Sequence, residues 1–146
     1  MKNLTLSISF LTFSIGLFGQ TTQTKTLVKG DVEKWEINQR ISNGTDTSTY
    51  FYYRFRNMEY QYLDDYASIL YSSKSDLETF ATKLKEIANM ETKINMSVTV
   101  GSVVLSIVDF SDAVYCEYLG DGFTGFTRQN AIKLADEILA NSYLLK

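Results

Sequence analysis

In the segment Tyr50–Arg56, every second residue is Phe or Tyr and the residues between them are Tyr or Arg. This pattern constrains the fold more than any other. Successive side chains of a β-strand point to opposite faces, so period two places Phe51, Tyr53 and Phe55 together. We predict a strand from about Thr49 to Tyr62 whose Phe-rich face is packed against the core. The opposite, outward-facing row then consists of Tyr50, Tyr52, Arg54, Arg56, Met58, Tyr60 and Tyr62.

Alternation and turn residues predict the other strands. A first strand begins near Val32 and directs Trp35, Ile37 and Ile41 inward, and Asn43-Gly44 supplies the positive φ angles of a tight hairpin. Gly101 suits a second two-residue turn, of type II′. The remaining predicted strands are Ala67–Ser72, Ile94–Val100, Val103–Phe110, Ala113–Leu119 and a short Phe123–Phe126.

Two amphipathic helices are predicted from their caps and apolar stripes. Ser75-Asp76-Leu77-Glu78 fits a capping box and starts a helix that ends near Met90. Thr127 caps a second helix that runs from Arg128 to about Tyr143. Residues at three- and four-residue steps form the buried stripes. They are Leu77, Phe80, Ala81, Leu84, Ile87 and Ala88 in the first helix, and Ala131, Leu134, Ala135, Ile138 and Leu139 in the second.

The order of elements is therefore βββ-α-βββ(β)-α, which is an α+β fold. Short turns join antiparallel neighbours, and a helix with one apolar stripe covers a sheet face. We predict a single antiparallel sheet of about six strands with both helices packed on one face. Because each helix follows a strand and an aromatic-Ser/Thr junction, a degenerate duplication of a strand-strand-helix unit is also compatible with the sequence.

The N-terminus has the pattern of an export signal. Lys2 precedes an apolar run, Leu4–Phe18, and Gly19 is a small residue at a cleavage position. The run is shorter than the roughly 20 apolar residues of a membrane span. We therefore expect a signal peptide at 1–19, a flexible leader at 20–30 and a single domain at 31–146. The mature chain is then exported to the periplasm or the extracellular space of a Gram-negative bacterium and has no transmembrane segment.

Composition excludes several kinds of chemistry. The chain contains no His, which removes imidazole-dependent triads and the commonest zinc ligand. Its 17 acidic residues exceed its 14 basic ones, an unfavourable balance for binding nucleic acid. Cys116 is the only cysteine, and its place in an apolar strand predicts burial. We expect no metal and no cofactor.

Carboxylates are the remaining candidates for acid-base catalysis. Asp64 and Asp65 are adjacent and would point to opposite faces of a strand. Asp109, Asp112 and Asp121 lie near predicted strand ends, where convergence would permit a carboxylate-based hydrolase. Turn formation explains the same residues more simply. The sequence contains no recognisable catalytic motif, and we do not expect an enzyme.

The outward row of Tyr and Arg is the strongest candidate for a functional surface. Both residue types are enriched where proteins meet partners. We expect a non-catalytic binding or accessory module that contacts a protein or a cell-envelope glycan through Tyr50, Tyr52, Arg54, Arg56, Tyr60 and Tyr62. Such residues also furnish exposed sheet faces with no binding role. A structural or self-assembling envelope subunit is a further alternative.

Overall fold

A computed structural model of the chain describes residues 22–31, 33–59, 65–90, 95–108, 112–119 and 122–146. The described chain contains eight strands and two α-helices. In order they are β1 (Thr22–Lys29), β2 (Trp35–Ser42), β3 (Asp46–Arg56), β4 (Tyr66–Tyr71), α1 (Lys74–Asn89), β5 (Met96–Val100), β6 (Val103–Ile107), β7 (Ala113–Tyr118), β8 (Gly122–Thr127) and α2 (Arg128–Asn141). A short 3₁₀ turn, Ser142–Leu144, follows α2.

The strands form two antiparallel four-stranded sheets, one in the order β1-β2-β3-β4 and one in the order β5-β6-β7-β8. The predicted α+β class with antiparallel pairing is confirmed, but the prediction of one sheet of about six strands is wrong. Short connections join the antiparallel neighbours within each meander, whereas the 16 residues of α1 stand between β4 and β5. The chain therefore starts a second meander after α1 instead of extending the first sheet.

Strand β1 accounts for part of this difference. Sequence analysis assigned residues 20–30 to a flexible leader, but Thr22–Lys29 pairs with β2 along its length, with a bulge between Thr26 and Val28. Most of its side chains are exposed, so the strand lacks the apolar alternation that marks a half-buried strand. It is an edge strand held chiefly by backbone pairing, which the side-chain pattern does not show.

The tight turns follow their glycines as predicted. Asn43 and Gly44 have φ angles of 51° and 75°, and they connect β2 to β3. Gly101 has a φ angle of 59° between β5 and β6. Three residues, 43–45, separate β2 from β3, and two residues separate β5 from β6. Positive φ angles suit such tight hairpin turns. These turns fix the registers of the two hairpins from local sequence alone.

The helix caps are confirmed in one case and corrected in the other. The Thr127 side chain accepts a hydrogen bond from the Asn130 backbone N at 3.2 Å, as the cap of α2. The cap of the first helix is Ser73, two residues before the predicted cap Ser75, and its side chain accepts from Asp76 N at 3.4 Å. Ser75 lies within the first turn, where its carbonyl accepts from the Thr79 hydroxyl at 2.8 Å.

The two helices bury equivalent positions when each is counted from its cap. Leu77, Phe80, Ala81, Leu84 and Ala88 of α1 correspond to Ala131, Leu134, Ala135, Ile138 and Ser142 of the second helical segment, and all are buried. Each helix follows a four-stranded antiparallel meander. The chain is thus organised as two ββββα units, a larger repeat than the strand-strand-helix unit considered from the sequence.

One hydrophobic core joins the two units. Helix α1 packs against α2 and contacts β4, β5 and β6, while α2 contacts β7 and β8. Aromatic rings link the first sheet to the rest, with centroid distances of 5.6 Å for Tyr71–Phe80 and 6.1 Å for Tyr53–Phe126. Because the Tyr53–Phe126 pair crosses from the first unit to the second, the core belongs to neither sheet alone.

A second link between the sheets is made by Asn57, just after β3. The Met58 backbone N donates to the Phe123 carbonyl at 2.8 Å, and the Asn57 side-chain oxygen accepts from Phe123 N at 3.2 Å. Gly122 has a φ angle of 112°, and a Cβ atom there would lie 2.2 Å from the Asn57 amide. This close approach therefore requires glycine.

Candidate functional site

Strand β3 presents the two faces that its alternation predicts. Phe51, Tyr53 and Phe55 are buried, with exposed fractions of 0%, 1% and 4%. On the opposite side, Tyr50 and Tyr52 are half-buried, and Arg54 and Arg56 are exposed. Tyr60 and Tyr62, which were assigned to the same row, lie outside the described residues.

The strand registers show which residues share this side of the first sheet, here called the outer face. Tyr52 is paired with Glu36 on β2 and with Leu70 on β4. Lys29 on β1 is paired with Glu36, and its Nζ lies 3.3 Å from the Glu36 carboxylate. The outer face is defined by Lys29, Glu36, Asn38, Arg40, Tyr50, Tyr52, Arg54, Arg56, Tyr66, Ser68 and Leu70.

Two arginine-tyrosine pairs lie diagonally across this face. The Arg54 guanidinium carbon is 4.3 Å from the centroid of the Tyr66 ring, and that of Arg40 is 5.7 Å from the Tyr50 ring. A cation over an aromatic face is attracted by the ring quadrupole. Sequence analysis missed Arg40, Tyr66 and the 59% exposed Leu70, because only the strand register brings them beside β3.

Asn38 is a buried polar residue within the outer face. It is 5% exposed, and its Nδ2 donates to the Glu36 carboxylate at 3.3 Å. Its Oδ1 has no hydrogen-bond partner among the described residues. Asn38 is paired with Tyr50 and Thr26 in the neighbouring strands, so these strands cover the amide.

A cleft of about 830 Å³ lies at the end of the outer face, between the β1–β2 loop, the ends of β3 and β4, and Thr124 of β8. Its cationic lining residues are Lys29, Lys34, Arg54 and Arg56. Its carboxylates are Asp31, Glu33 and Glu36. Tyr66 supplies exposed aromatic surface, and the buried ring of Trp35, the only tryptophan of the chain, lies behind the lining. Two of the residues selected from the sequence, Arg54 and Arg56, therefore line a concave site.

Helix α2 holds the loop that forms one wall of this cleft. A Glu137 carboxylate oxygen accepts hydrogen bonds from Trp35 Nε1 at 3.0 Å and from the Asp31 backbone N at 3.2 Å. The Gly30 backbone N donates to the Trp35 carbonyl at 2.9 Å. A Cβ atom on Gly30 would lie 1.8 Å from the indole, so the loop approaches the ring as only glycine allows.

Burial changes the acid-base properties of groups beside the cleft. Desolvation raises the pKa of Glu33 above its usual value, and the neighbouring Tyr53 hydroxyl opposes this in part. Desolvation also raises the pKa of Tyr53, and the charge of Glu33 adds to this effect. Glu33 is thus a half-buried carboxylate in a poorly solvated place.

Cys116 lies away from the outer face, in the core. It is fully buried on β7, which confirms the prediction made from its apolar surroundings. Desolvation raises the pKa of its thiol to about 12. Because the thiolate is the reactive form, this cysteine is inert in the folded protein at neutral pH.

The carboxylates considered for hydrolysis do not form a common site among the described residues. Asp112 is exposed and lies 3.6 Å from the Arg128 guanidinium, while Asp65 accepts a hydrogen bond from Asn57 at 3.0 Å. Asp64, Asp109 and Asp121 lie outside the described residues. Within the described part of the chain, no group of three or more His, Cys, Asp or Glu residues is placed to hold a metal ion.

Comparison of the chain with protein-family models, curated proteins and solved structures found no match. Neither helix of the described chain has the length and apolar character needed to cross a membrane.

Proposed function

We propose that this protein is an exported, non-catalytic binding or accessory module, and that the outer face of the first sheet contacts a protein or a cell-envelope glycan. The observation that carries the proposal is the arrangement around Tyr52. Tyr52 and the exposed Leu70 form an apolar centre, and the pairs Arg54–Tyr66 and Arg40–Tyr50 lie on either side of it. An aromatic or aliphatic centre with an arginine-rich surround is typical of surfaces that dominate binding energy.

The charge distribution supports the same surface. The outer face carries four cationic residues, Lys29, Arg40, Arg54 and Arg56, and one anionic residue, Glu36, although the whole chain has a formal net charge of −3. Cations concentrated on one sheet of an acidic protein attract acidic partners and orient them on approach. Export follows from the N-terminal signal pattern and remains part of the proposal.

The double variant Tyr52→Ala/Arg54→Ala tests the proposed surface. Both side chains point outward, so we expect the free energy of unfolding to change by less than about 1 kcal/mol. We expect loss of a partner that the immobilised wild-type protein retains from the cell-envelope fraction. The matched control is Ser97→Ala/Thr99→Ala, which removes exposed residues at the same spacing from β5.

A partner that the control variant retains and the Tyr52/Arg54 variant loses would support the proposal. Equal retention by both variants would contradict it, as would unfolding of the Tyr52/Arg54 variant. Sequencing of the N-terminus of protein recovered from the envelope checks export, and the expected first residue is Gln20.

A further inference from the structure

The position of Arg54 in the cleft indicates the chemistry of a ligand. Its guanidinium lies 4.3 Å from the Tyr66 ring centroid, and no carboxylate of the described residues forms an ion pair with it. A ring below the guanidinium limits its movement and leaves the N–H groups, which point outward in the guanidinium plane, available. Such donors match the two oxygens of a carboxylate in a bidentate pair. Arg54 is therefore positioned to bind an oxyanion.

The other walls of the cleft argue against a ligand that is anionic throughout. Asp31, Glu33 and Glu36 also line it. These three carboxylates stand among four cations, so a chain of repeated negative charges would meet several like charges, whereas hydroxyl groups can donate hydrogen bonds to the carboxylate oxygens. The half-buried position of Glu33 strengthens such a hydrogen bond because water competes poorly for it. The cleft therefore suits a ligand with one oxyanion and several hydroxyls.

The β1–β2 loop that forms one wall of the cleft is held in place by hydrogen bonds before any ligand binds. Glu137 holds the β1–β2 loop through the Trp35 indole and the Asp31 backbone. The Arg54 backbone N donates to the Lys34 carbonyl at 3.3 Å, which ties the loop to β3. A site that is already ordered loses less conformational entropy on binding. Its volume of about 830 Å³ lies within the range of small-ligand pockets.

From this geometry we propose that the cleft binds a carboxylate-bearing saccharide, whose carboxylate pairs with Arg54 and whose hydroxyls donate to Glu33 and Glu36. The inference rests on the proposed binding function and gives it a ligand class. Tyr66, which is 44% exposed, supplies apolar surface that the face of a sugar ring can contact. An acidic peptide fits less well, because its repeated charges would approach the three carboxylates.

A titration with a trisaccharide that carries a single uronic acid residue tests the assignment. Calorimetry measures the affinity, and the fluorescence of Trp35, the only tryptophan, reports occupancy of the cleft. We expect Arg54→Gln to weaken binding about tenfold or more, since a charged hydrogen-bond pair is lost. The matched control is Lys133→Gln, which removes one positive charge from the exposed side of α2, outside the cleft, and we expect unchanged affinity.

The methyl ester of the same trisaccharide isolates the role of the carboxylate. We expect it to bind the wild-type protein about as weakly as the acid binds Arg54→Gln. Equal binding of acid and ester would overturn the inference, as would equal binding by wild type and Arg54→Gln. Tighter binding of a tri-glutamate peptide than of the trisaccharide would also overturn it, in favour of an acidic peptide.

Failure of this inference is distinguishable from failure of the proposed function. If the trisaccharide does not bind at millimolar concentration but the Tyr52/Arg54 variant still loses its envelope partner, the ligand class is wrong and the surface is right. If the trisaccharide binds through Arg54 while the envelope partner is retained by that variant, the cleft is a saccharide site and the outer face is not the partner surface.

Discussion

The strands of the first sheet carry Lys25, Lys29, Arg40, Arg54 and Arg56 against Glu36 and Asp46, whereas the strands of the second sheet carry one charged residue, Glu117. Both sheets are four-stranded antiparallel meanders followed by a helix with the same buried positions. A repeated scaffold therefore supports two different surfaces. Inward-facing residues maintain the scaffold, while outward-facing residues of one unit alone provide the concentrated charge.

The contrast extends to the outward aromatic residues. On the first sheet, Tyr66 is 44% exposed and Tyr50 and Tyr66 each lie beneath an arginine. On the second sheet, Tyr115 is paired with Gly125, and a Cβ atom at Gly125 would lie 3.4 Å from the Tyr115 ring. A ring that covers a glycine protects the strand pair beneath it. The first sheet thus offers aromatic surface to a partner, while the second uses it for packing.

The largest expected effect tests whether the two sheets are one folding unit. Phe51→Ala in the first sheet is expected to lower the free energy of unfolding by about 3–5 kcal/mol, and Leu105→Ala in the second by about 2–5 kcal/mol. Both residues are fully buried in the shared core. Denaturant unfolding measured by Trp35 fluorescence and by far-UV circular dichroism should give one coincident transition for each variant.

Thr99→Ala, an exposed change on β5, is the control and should alter stability by less than about 0.5 kcal/mol. If the fluorescence transition of the Leu105 variant separates from its circular dichroism transition, the units unfold independently and the shared core does not couple them.

An intermediate effect is expected at the link between the sheets. Asn57→Ala removes the oxygen that accepts from Glu59 N at 3.0 Å and from Phe123 N at 3.2 Å. Leaving part-buried donors without a partner should cost about 1–3 kcal/mol of unfolding free energy, measured by denaturation. Asn130→Ala, in α2, is the control and should have little effect. Equal stability of the Asn57 variant and the wild type would show that the Met58–Phe123 backbone hydrogen bond is sufficient to link the two sheets.

The smallest effect compares the two helix starts. Ser73→Ala and Thr127→Ala each remove a cap and should each lower the free energy of unfolding by about 1 kcal/mol. Ser75→Ala is the control, since its side chain is exposed within the first turn of α1. Thermal or denaturant unfolding measures the three variants. A larger loss for Ser75→Ala than for Ser73→Ala would place the cap at the capping box and contradict the structure.

Much of the local structure could be predicted because its causes are local. The period of two along Tyr50–Arg56 separates buried from outward residues, and the stripe of α1 is buried at every predicted position. The first cap was misplaced because Ser73 and Ser75 both precede an apolar stripe and have the same side chain. Only the backbone conformation distinguishes a residue before the helix from one within it.

The candidate site could be predicted only in part. Tyr50, Tyr52, Arg54 and Arg56 belong to one strand, so alternation sufficed to group them. Their partners Arg40 and Tyr66 lie on neighbouring strands, and strand register depends on pairing between distant segments. Predicting the cleft would require still more knowledge of long-range packing, because the cleft combines a loop, two strands of one sheet and a residue of the other.

The sequence by itself determined which side chains face inward, where the tight hairpins turn and which helix faces are apolar, because periodicity and turn chemistry act over a few residues. The tertiary structure decided that the strands form two sheets, that the polar segment Thr22–Lys29 is an edge strand, and that Arg54 lies over Tyr66 in a cleft. These features depend on which distant segments pair and pack, and backbone pairing leaves little trace in side-chain pattern.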